Sequence, residues 1–149
     1  MSFHHKSIYV SLVNSIIVMS AYYWWVSGRY ADGVFDGPNA GVEVGKSLLI
    51  LIAAGILVQI IGMILFNILQ AIVTNNANPS FLIDERDRTI ELKALKVAYN
   101  LMALVFLLTI IALTMGWSIF AVFHILVGGG AVIAIVEALT QLFLYRRGY

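Results

Sequence analysis

Long apolar runs alternate with short polar segments along the chain, and each run has the length of a membrane-spanning helix. A helix needs about 20 mainly apolar residues to cross the hydrocarbon core of a bilayer. Four such runs predict spans over about 8–26, 47–73, 97–115 and 119–144. Between the second and third runs the chain is strongly polar over 74–96. The pattern predicts an all-α integral membrane protein with four transmembrane helices.

Lysine and arginine are distributed unevenly between the two sides that these spans would separate. Segments rich in Lys and Arg stay in the cytoplasm. The side with both termini and the central segment carries seven of them, whereas the other side has two: Lys6, Arg86, Arg88, Lys93, Lys96, Arg146 and Arg147 against Arg29 and Lys46. The asymmetry predicts a multi-pass inner-membrane protein with cytoplasmic N- and C-termini and with 28–45 and 116–117 outside.

The composition agrees with a single membrane domain over 1–149. Its residues are 61% hydrophobic and only 11% charged, whereas soluble domains have about 25% charged residues. A net charge of +1 indicates no nucleic-acid partner, and the lack of cysteine excludes disulfides and thiolate chemistry. Phosphate-binding glycine loops, zinc-protease helices and serine nucleophile elbows are also missing from the sequence. We therefore expect no enzymatic activity, no cofactor and no metal site.

The central polar segment holds the densest cluster of charges. Acids near Asp84 favour a helix start, and Ile90, Ala94 and Val97 then share one helical face. We expect the third helix to extend into the cytoplasm as an amphipathic stalk. The candidate docking residues for a cytoplasmic protein are Asp84, Glu85, Arg86, Asp87, Arg88, Lys93 and Lys96. Two other roles stay open: a solvated loop that only fixes topology, and a surface for anionic lipid.

The same segment carries a resemblance to a known family. Asp84-Glu85-Arg86-Asp87, followed by Ile90, Lys93 and Ala94, resembles an Asp-Glu-Arg-(Asp/Glu)…Ile…Lys-Ala cytoplasmic motif. That motif is typical of small prokaryotic four-helix membrane proteins classed as a domain of unknown function. The resemblance implies paired helices around this loop, over most of the chain. It implies no reaction, ligand or catalytic residue, and a signalling role only loosely.

Glu137 is the most informative polar residue inside a span. An ionisable group costs about 2.5–3.5 kcal/mol near the centre of a membrane helix and marks a candidate functional site. Amides of the other spans are expected at a similar depth, where a ring of them would satisfy the carboxyl group. The candidate polar site comprises Glu137, Gln141, Asn14, Asn67, Gln70 and Asn100. Structural hydrogen bonding, a proton- or cation-coupled site and an ion pair with a partner subunit all remain open.

Glycines mark the expected helix-packing faces, because they allow close approach in membranes. Gly128, Gly129 and Gly130 lie in the fourth span, and Gly55 and Gly62 in the second are their expected mates. The leading hypothesis is a non-enzymatic protein that acts by protein–protein contact, as an accessory, regulatory or scaffold subunit with a protein partner or as a homo-oligomer. The alternative is a small proton- or cation-coupled transporter working as an oligomer through Glu137.

Overall fold

The computed structural model describes residues 3–74 and 85–147, and its regular elements in these ranges are four α-helices. They are α1 (Phe3–Ala31), α2 (Ala40–Thr74), α3 (Glu85–Thr114) and α4 (Ile119–Arg146). Each is long and apolar enough to cross a membrane. The predicted all-α class with four membrane-length helices is therefore confirmed for the described residues, and the protein has the form of a multi-pass membrane protein. Asp84 lies outside these residues.

The connection between α1 and α2 is shorter than the apolar pattern predicts. α1 continues through Gly28 to Ala31, because a glycine within a helix costs only about 1 kcal/mol. The chain reverses at Gly33 and Gly37, whose φ angles are 71° and 83°. Such positive φ values are accessible to glycine at no steric cost. The turn therefore lies within residues 32–39, and both helices extend past the predicted span limits.

The connection between α3 and α4 is a tight turn with complementary caps. Gly116 has a φ of 74°, and the backbone N–H of Trp117 donates to the Ala112 carbonyl at 3.1 Å, as in a Schellman C-cap. Ser118 then caps α4, since its hydroxyl accepts a hydrogen bond from the Ala121 N–H. With so short a link, α3 and α4 form an antiparallel hairpin and share the most extensive helix contact of the fold.

The helices pack in the order α3, α4, α1, α2. α4 lies between α3 and α1, α2 packs mainly on α1, and a smaller contact joins α2 to α4. α2 is the most peripheral helix, since no residue of its most apolar window is buried inside the chain. The arrangement therefore places α2 and α3 at opposite ends of the row.

The best-packed part of the molecule lies at the end with the two short connections. Tyr22, Val26, Phe35 and Val44 form a buried cluster there, and Phe120 and Val127 of α4 pack against it. This cluster fixes α1, α2 and α4 together at one end. Toward the other end, the same three helices surround a set of polar side chains.

Candidate functional site

Glu137 and Gln141 lie together in a cleft between α1 and α4. The Gln141 side-chain N–H donates to Glu137 Oε1 at 3.4 Å, which is long for a hydrogen bond. The cleft has a volume of about 190 Å³ and is lined by Ile8, Ser11, Leu12, Ser15, Ala134, Glu137, Ala138 and Gln141. Glu137 of α4 and two serines of α1, Ser11 and Ser15, therefore line the same cleft.

Helical spacing explains how these side chains come to share one cleft. On α4, Ala134, Glu137, Ala138 and Gln141 fall at i, i+3, i+4 and i+7, which is one face of a helix. The two alanines leave space beside α1, and the two longer polar residues line the same cleft. Small residues at such an interface allow close contact between membrane helices. The face is therefore both a packing surface and a polar surface.

A second, larger cavity adjoins the first and reaches α2. It measures about 470 Å³ and is lined by Ser11, Asn14, Ser15, Val18, Met19, Leu51, Gly55, Gln59, Ala131 and Ala134. Ser11, Ser15 and Ala134 line both cavities. Hydrogen bonds run along its polar wall, from Asn14 Nδ2 to Gln59 Oε1 at 3.3 Å and from Gln59 Nε2 to Ser11 Oγ at 3.1 Å. We call the two cavities together the polar cleft.

Gly62 is required for the hydrogen bond between Asn14 and Gln59. A Cβ atom at Gly62 would overlap the Asn14 side-chain amide, so any larger residue would force that amide to move. A Cβ at Gly55 would meet Val18 of α1 at an ordinary 3.9 Å. Gly55 and Gly62 of α2 therefore both face α1.

The glycines of α4 have different neighbours. A Cβ at Gly129 would overlap Val105 of α3, and one at Gly128 would lie 3.0 Å from the Tyr23 hydroxyl of α1. A Cβ at Gly130 would meet nothing within 4 Å. The structure does not bring the glycines of α2 and α4 together as mates, because α1 and α3 occupy the positions against which they pack.

The structure gathers part of the proposed ring of amides. Asn14 lies in the polar cleft with Glu137 and Gln141, whereas Gln70 accepts a hydrogen bond from Lys6 at 3.3 Å. Asn67 and Asn100 are exposed on α2 and α3. Those two helices lie at opposite ends of the row, so their amides cannot converge on one carboxyl. Ser11 and Gln59 contribute polar groups that were not among the candidates.

The charged start of α3 is divided between a buried and an exposed face. Asp87 is buried and accepts a hydrogen bond of 2.6 Å from the Tyr145 hydroxyl of α4. Arg86 donates to the Tyr145 backbone carbonyl at 3.5 Å. The remaining candidates in the described residues are exposed on the surface, namely Glu85, Arg86, Arg88, Lys93 and Lys96. Asp87 therefore joins helices, and the others remain accessible.

His124 is held by hydrogen bonds on both ring nitrogens. Nδ1 lies 2.7 Å from the Phe120 carbonyl, and Nε2 lies 3.0 Å from the Tyr22 hydroxyl. A carbonyl can only accept, so Nδ1 carries the proton and Nε2 accepts from the tyrosine. The ring also stacks on Phe120 at 3.9 Å. His124 is thus a structural residue of the packed end, and the described residues contain no group of three acidic, His or Cys side chains able to hold a metal ion.

An ion cluster fixes the turn between α1 and α2. Glu43 accepts from Arg29 at 2.9 Å and from Lys46 at 2.6 Å. The Arg29 guanidinium also lies 5.0 Å from the centre of the Trp25 ring, a cation–π distance. The charges at this end are therefore used to hold the turn in place.

The fold and the polar cleft define a class: over the described residues, a small protein of four membrane-length helices with the carboxyl group of Glu137 lining a cleft between α1 and α4. No protein-family model, curated protein or solved structure matches the chain.

Proposed function

We propose that the protein lies in the inner membrane with both termini in the cytoplasm, and that it acts by contact with another protein chain. In this role it is an accessory, regulatory or scaffold subunit without enzymatic activity. The orientation rests on the distribution of Lys and Arg. The resemblance of the segment from Asp84 to Ala94 to a cytoplasmic family motif agrees with it and stays a prediction.

The observation that carries this proposal is a pair of leucines on the charged part of α3. Ile90 and Ala94 face α4 and are 1% and 0% exposed, whereas Leu92 and Leu95 on the other side of the helix are 58% and 52% exposed. Tyr99 continues this outer surface and is 76% exposed. We call Arg88, Leu92, Leu95, Lys96 and Tyr99 the outer face of α3.

The leucines of the outer face lie near the level along α3 at which the hydrocarbon core of a bilayer would end. At ~1.5 Å per residue, Leu92 is about 33 Å along the helix from Thr114, and the hydrocarbon core is about 30 Å thick. Leu92 and Leu95 therefore fall at or beyond the edge of the lipid tails. Burial against a partner would contribute about 1.5–3 kcal/mol for each leucine that leaves water. Arg88 and Lys96 would orient the partner by charge.

The inner side of the same helix keeps the outer face in place. Four residues on this side are buried, namely Asp87, Ile90, Ala94 and Ala98. The Tyr145 hydroxyl also donates a hydrogen bond to Asp87 in the first turn of α3. A surface held rigidly before binding has less conformational entropy to lose when a partner docks. The buried inner side of α3 therefore supports the proposal that its outer face is a preformed docking surface.

Photocrosslinking in cells of the native host tests this proposal. With p-benzoylphenylalanine in place of Leu92, we expect a crosslinked product of defined mass that contains a second protein chain. The matched control replaces Leu104, which is 51% exposed on the apolar part of α3, and should crosslink no protein. Arg88→Glu should suppress the product at position 92. The absence of a protein product at position 92, or the same product from position 104, contradicts the docking surface.

The polar cleft favours a second candidate function, a small proton- or cation-coupled transporter that works as an oligomer through Glu137. The single supporting observation is that the carboxyl faces a cleft between helices, where ionisable groups in membrane proteins line pathways. Reconstituted vesicles distinguish the two functions, because only the transporter carries a proton or cation current that needs this carboxyl.

A further inference from the structure

We propose that the polar cleft binds a lipophilic primary ammonium ion, with Glu137 as its anionic partner. The inference does not depend on the contact function, and binding alone would not establish transport. It rests on three features of the cleft: a carboxyl without a cationic partner, hydrogen-bond acceptors around it, and an apolar extension.

Glu137 has no cationic partner in the described parts of the chain. The ion pairs found there join Glu43 to Arg29 and Lys46 at the opposite end of the molecule. Among the described residues, Glu137 accepts one hydrogen bond, the 3.4 Å contact from Gln141 to Oε1, and its second carboxylate oxygen is available there. A carboxylate between membrane helices attracts a cation far more strongly than it would in water. A bound cation would supply the missing counter-charge.

The neighbours of Glu137 are suited to an ion that donates several hydrogen bonds. A primary ammonium has three N–H donors and no acceptor. Next to the carboxylate, the cleft offers the Ser15 hydroxyl and the Gln141 side-chain carbonyl, whose own amide is already used. The lining of this cleft therefore includes three kinds of acceptor, namely a carboxylate, a hydroxyl and an amide carbonyl. A metal ion fits less well, because a single carboxyl is the only charged ligand there and most metal sites need more.

The larger cavity has room for the lipophilic part of the ligand. Beyond the shared wall of Ser11, Ser15 and Ala134, its lining includes Val18, Met19, Leu51 and Ala131. Cavities of 190 and 470 Å³ that share a wall are together within the range of about 300–1,000 Å³ typical of small-molecule sites. A ligand with its ammonium at Glu137 would place an alkyl chain along these apolar side chains.

Binding of n-alkylammonium ions to the purified 149-residue chain in lipid nanodiscs tests the proposal. The probes are methyl-, n-propyl- and n-butylammonium in phosphate buffer, with 1-butanol as the uncharged analogue and empty nanodiscs as the background. We expect saturable binding of n-butylammonium and none of 1-butanol. Each added methylene should tighten binding roughly fourfold, as expected when a CH₂ group leaves water.

Three variants locate the site. Glu137→Gln keeps the shape of the side chain but removes its charge, so n-butylammonium should bind at least tenfold more weakly. The control Glu91→Gln makes the same change at an exposed position of α3 and should bind as the unchanged chain does. Ala134→Leu narrows the wall shared by both cavities and should abolish the gain in affinity with chain length. Thermal unfolding shows that each variant is folded.

Several results would overturn the site. They are the absence of saturable binding to the folded chain, equal binding of 1-butanol, or undiminished binding by folded Glu137→Gln. If no variant at Glu137 folds, Ser15→Leu provides the second measurement, since it removes an acceptor and fills the polar end of the cleft. A folded Ser15→Leu chain that binds n-butylammonium with unchanged affinity contradicts the proposal as well.

Discussion

The hydroxyl group of Tyr145 donates a hydrogen bond of 2.6 Å to the carboxylate of Asp87 and so joins the last turn of α4 to the first turn of α3. Asp87 is buried, and a buried carboxylate that loses its donor is costly. The bond therefore closes the α3–α4 hairpin at the end opposite to its turn, and it fixes the outer face of α3 relative to the rest of the fold.

Tyr145→Phe should destabilise the protein by about 1–3 kcal/mol, because it leaves the buried Asp87 carboxylate without its hydroxyl donor. Unfolding by denaturant in detergent, followed by circular dichroism, measures the change. Tyr99→Phe is the matched control, since Tyr99 is 76% exposed and should lose almost nothing. Equal stability of the two variants would show that the bond does not contribute.

Alanine at two glycines of α2 should change stability in opposite directions. Gly62→Ala would force the Asn14 amide away from Gln59, and overpacking of this kind costs typically about 1–3 kcal/mol. Gly45→Ala meets nothing within 4 Å, so its better helix propensity should stabilise the chain by up to about 1 kcal/mol. Thermal unfolding of the two purified variants provides the comparison, and a destabilised Gly45→Ala would contradict this interpretation.

Cysteine labelling tests the proposed orientation, since the chain has no native cysteine. Asn39→Cys lies in the exposed turn between α1 and α2 and should react with a membrane-impermeant maleimide in intact spheroplasts. Glu91→Cys on α3 should react only after lysis. The reverse pattern would place the termini outside and would remove the basis for a cytoplasmic docking surface.

Glu137→Gln separates the two candidate functions. If the protein acts by contact, vesicles containing the folded chain or the folded variant should show no proton current across a range of substrates, and photocrosslinking at position 92 should be the same in both. A transporter that couples to protons needs a carboxyl that changes protonation state. A proton current that the unchanged chain supports and folded Glu137→Gln lacks would favour the transporter.

The four helices could be predicted from the sequence, but their neighbours could not. Run length and polarity are sufficient for a membrane-length helix, as α2 and α4 illustrate. Choosing neighbours depends on small differences between faces that are all apolar, because lipid tails are as apolar as leucine. The expected ring of amides assumed that α2 and α3 lie close together. In the structure Asn67 and Asn100 are exposed on separate helices.

Within the polar cleft, the sequence was informative about one helix at a time. Glu137 and Gln141 are one turn apart on α4, and in the structure both line the same cleft. The contribution of Gln59 could not be predicted, since it depends on how closely α1 approaches α2 at Gly62. On α3, the buried face passes through Ala98 instead of Val97, because the smaller side chain lets α4 come nearer. The same face of α3 includes Asp87, which is buried and accepts the hydrogen bond from Tyr145.

The order of the helices gives the molecule a seam. α1 with α2 and α3 with α4 are two hairpins, and they meet mainly where α1 contacts α4. The polar cleft lies along this seam, with Ser11 and Ser15 on one side and Glu137 on the other. A molecule that occupies it touches both hairpins at once and so favours their association by mass action. The stability of the contact between the two hairpins would then depend on the concentration of that molecule.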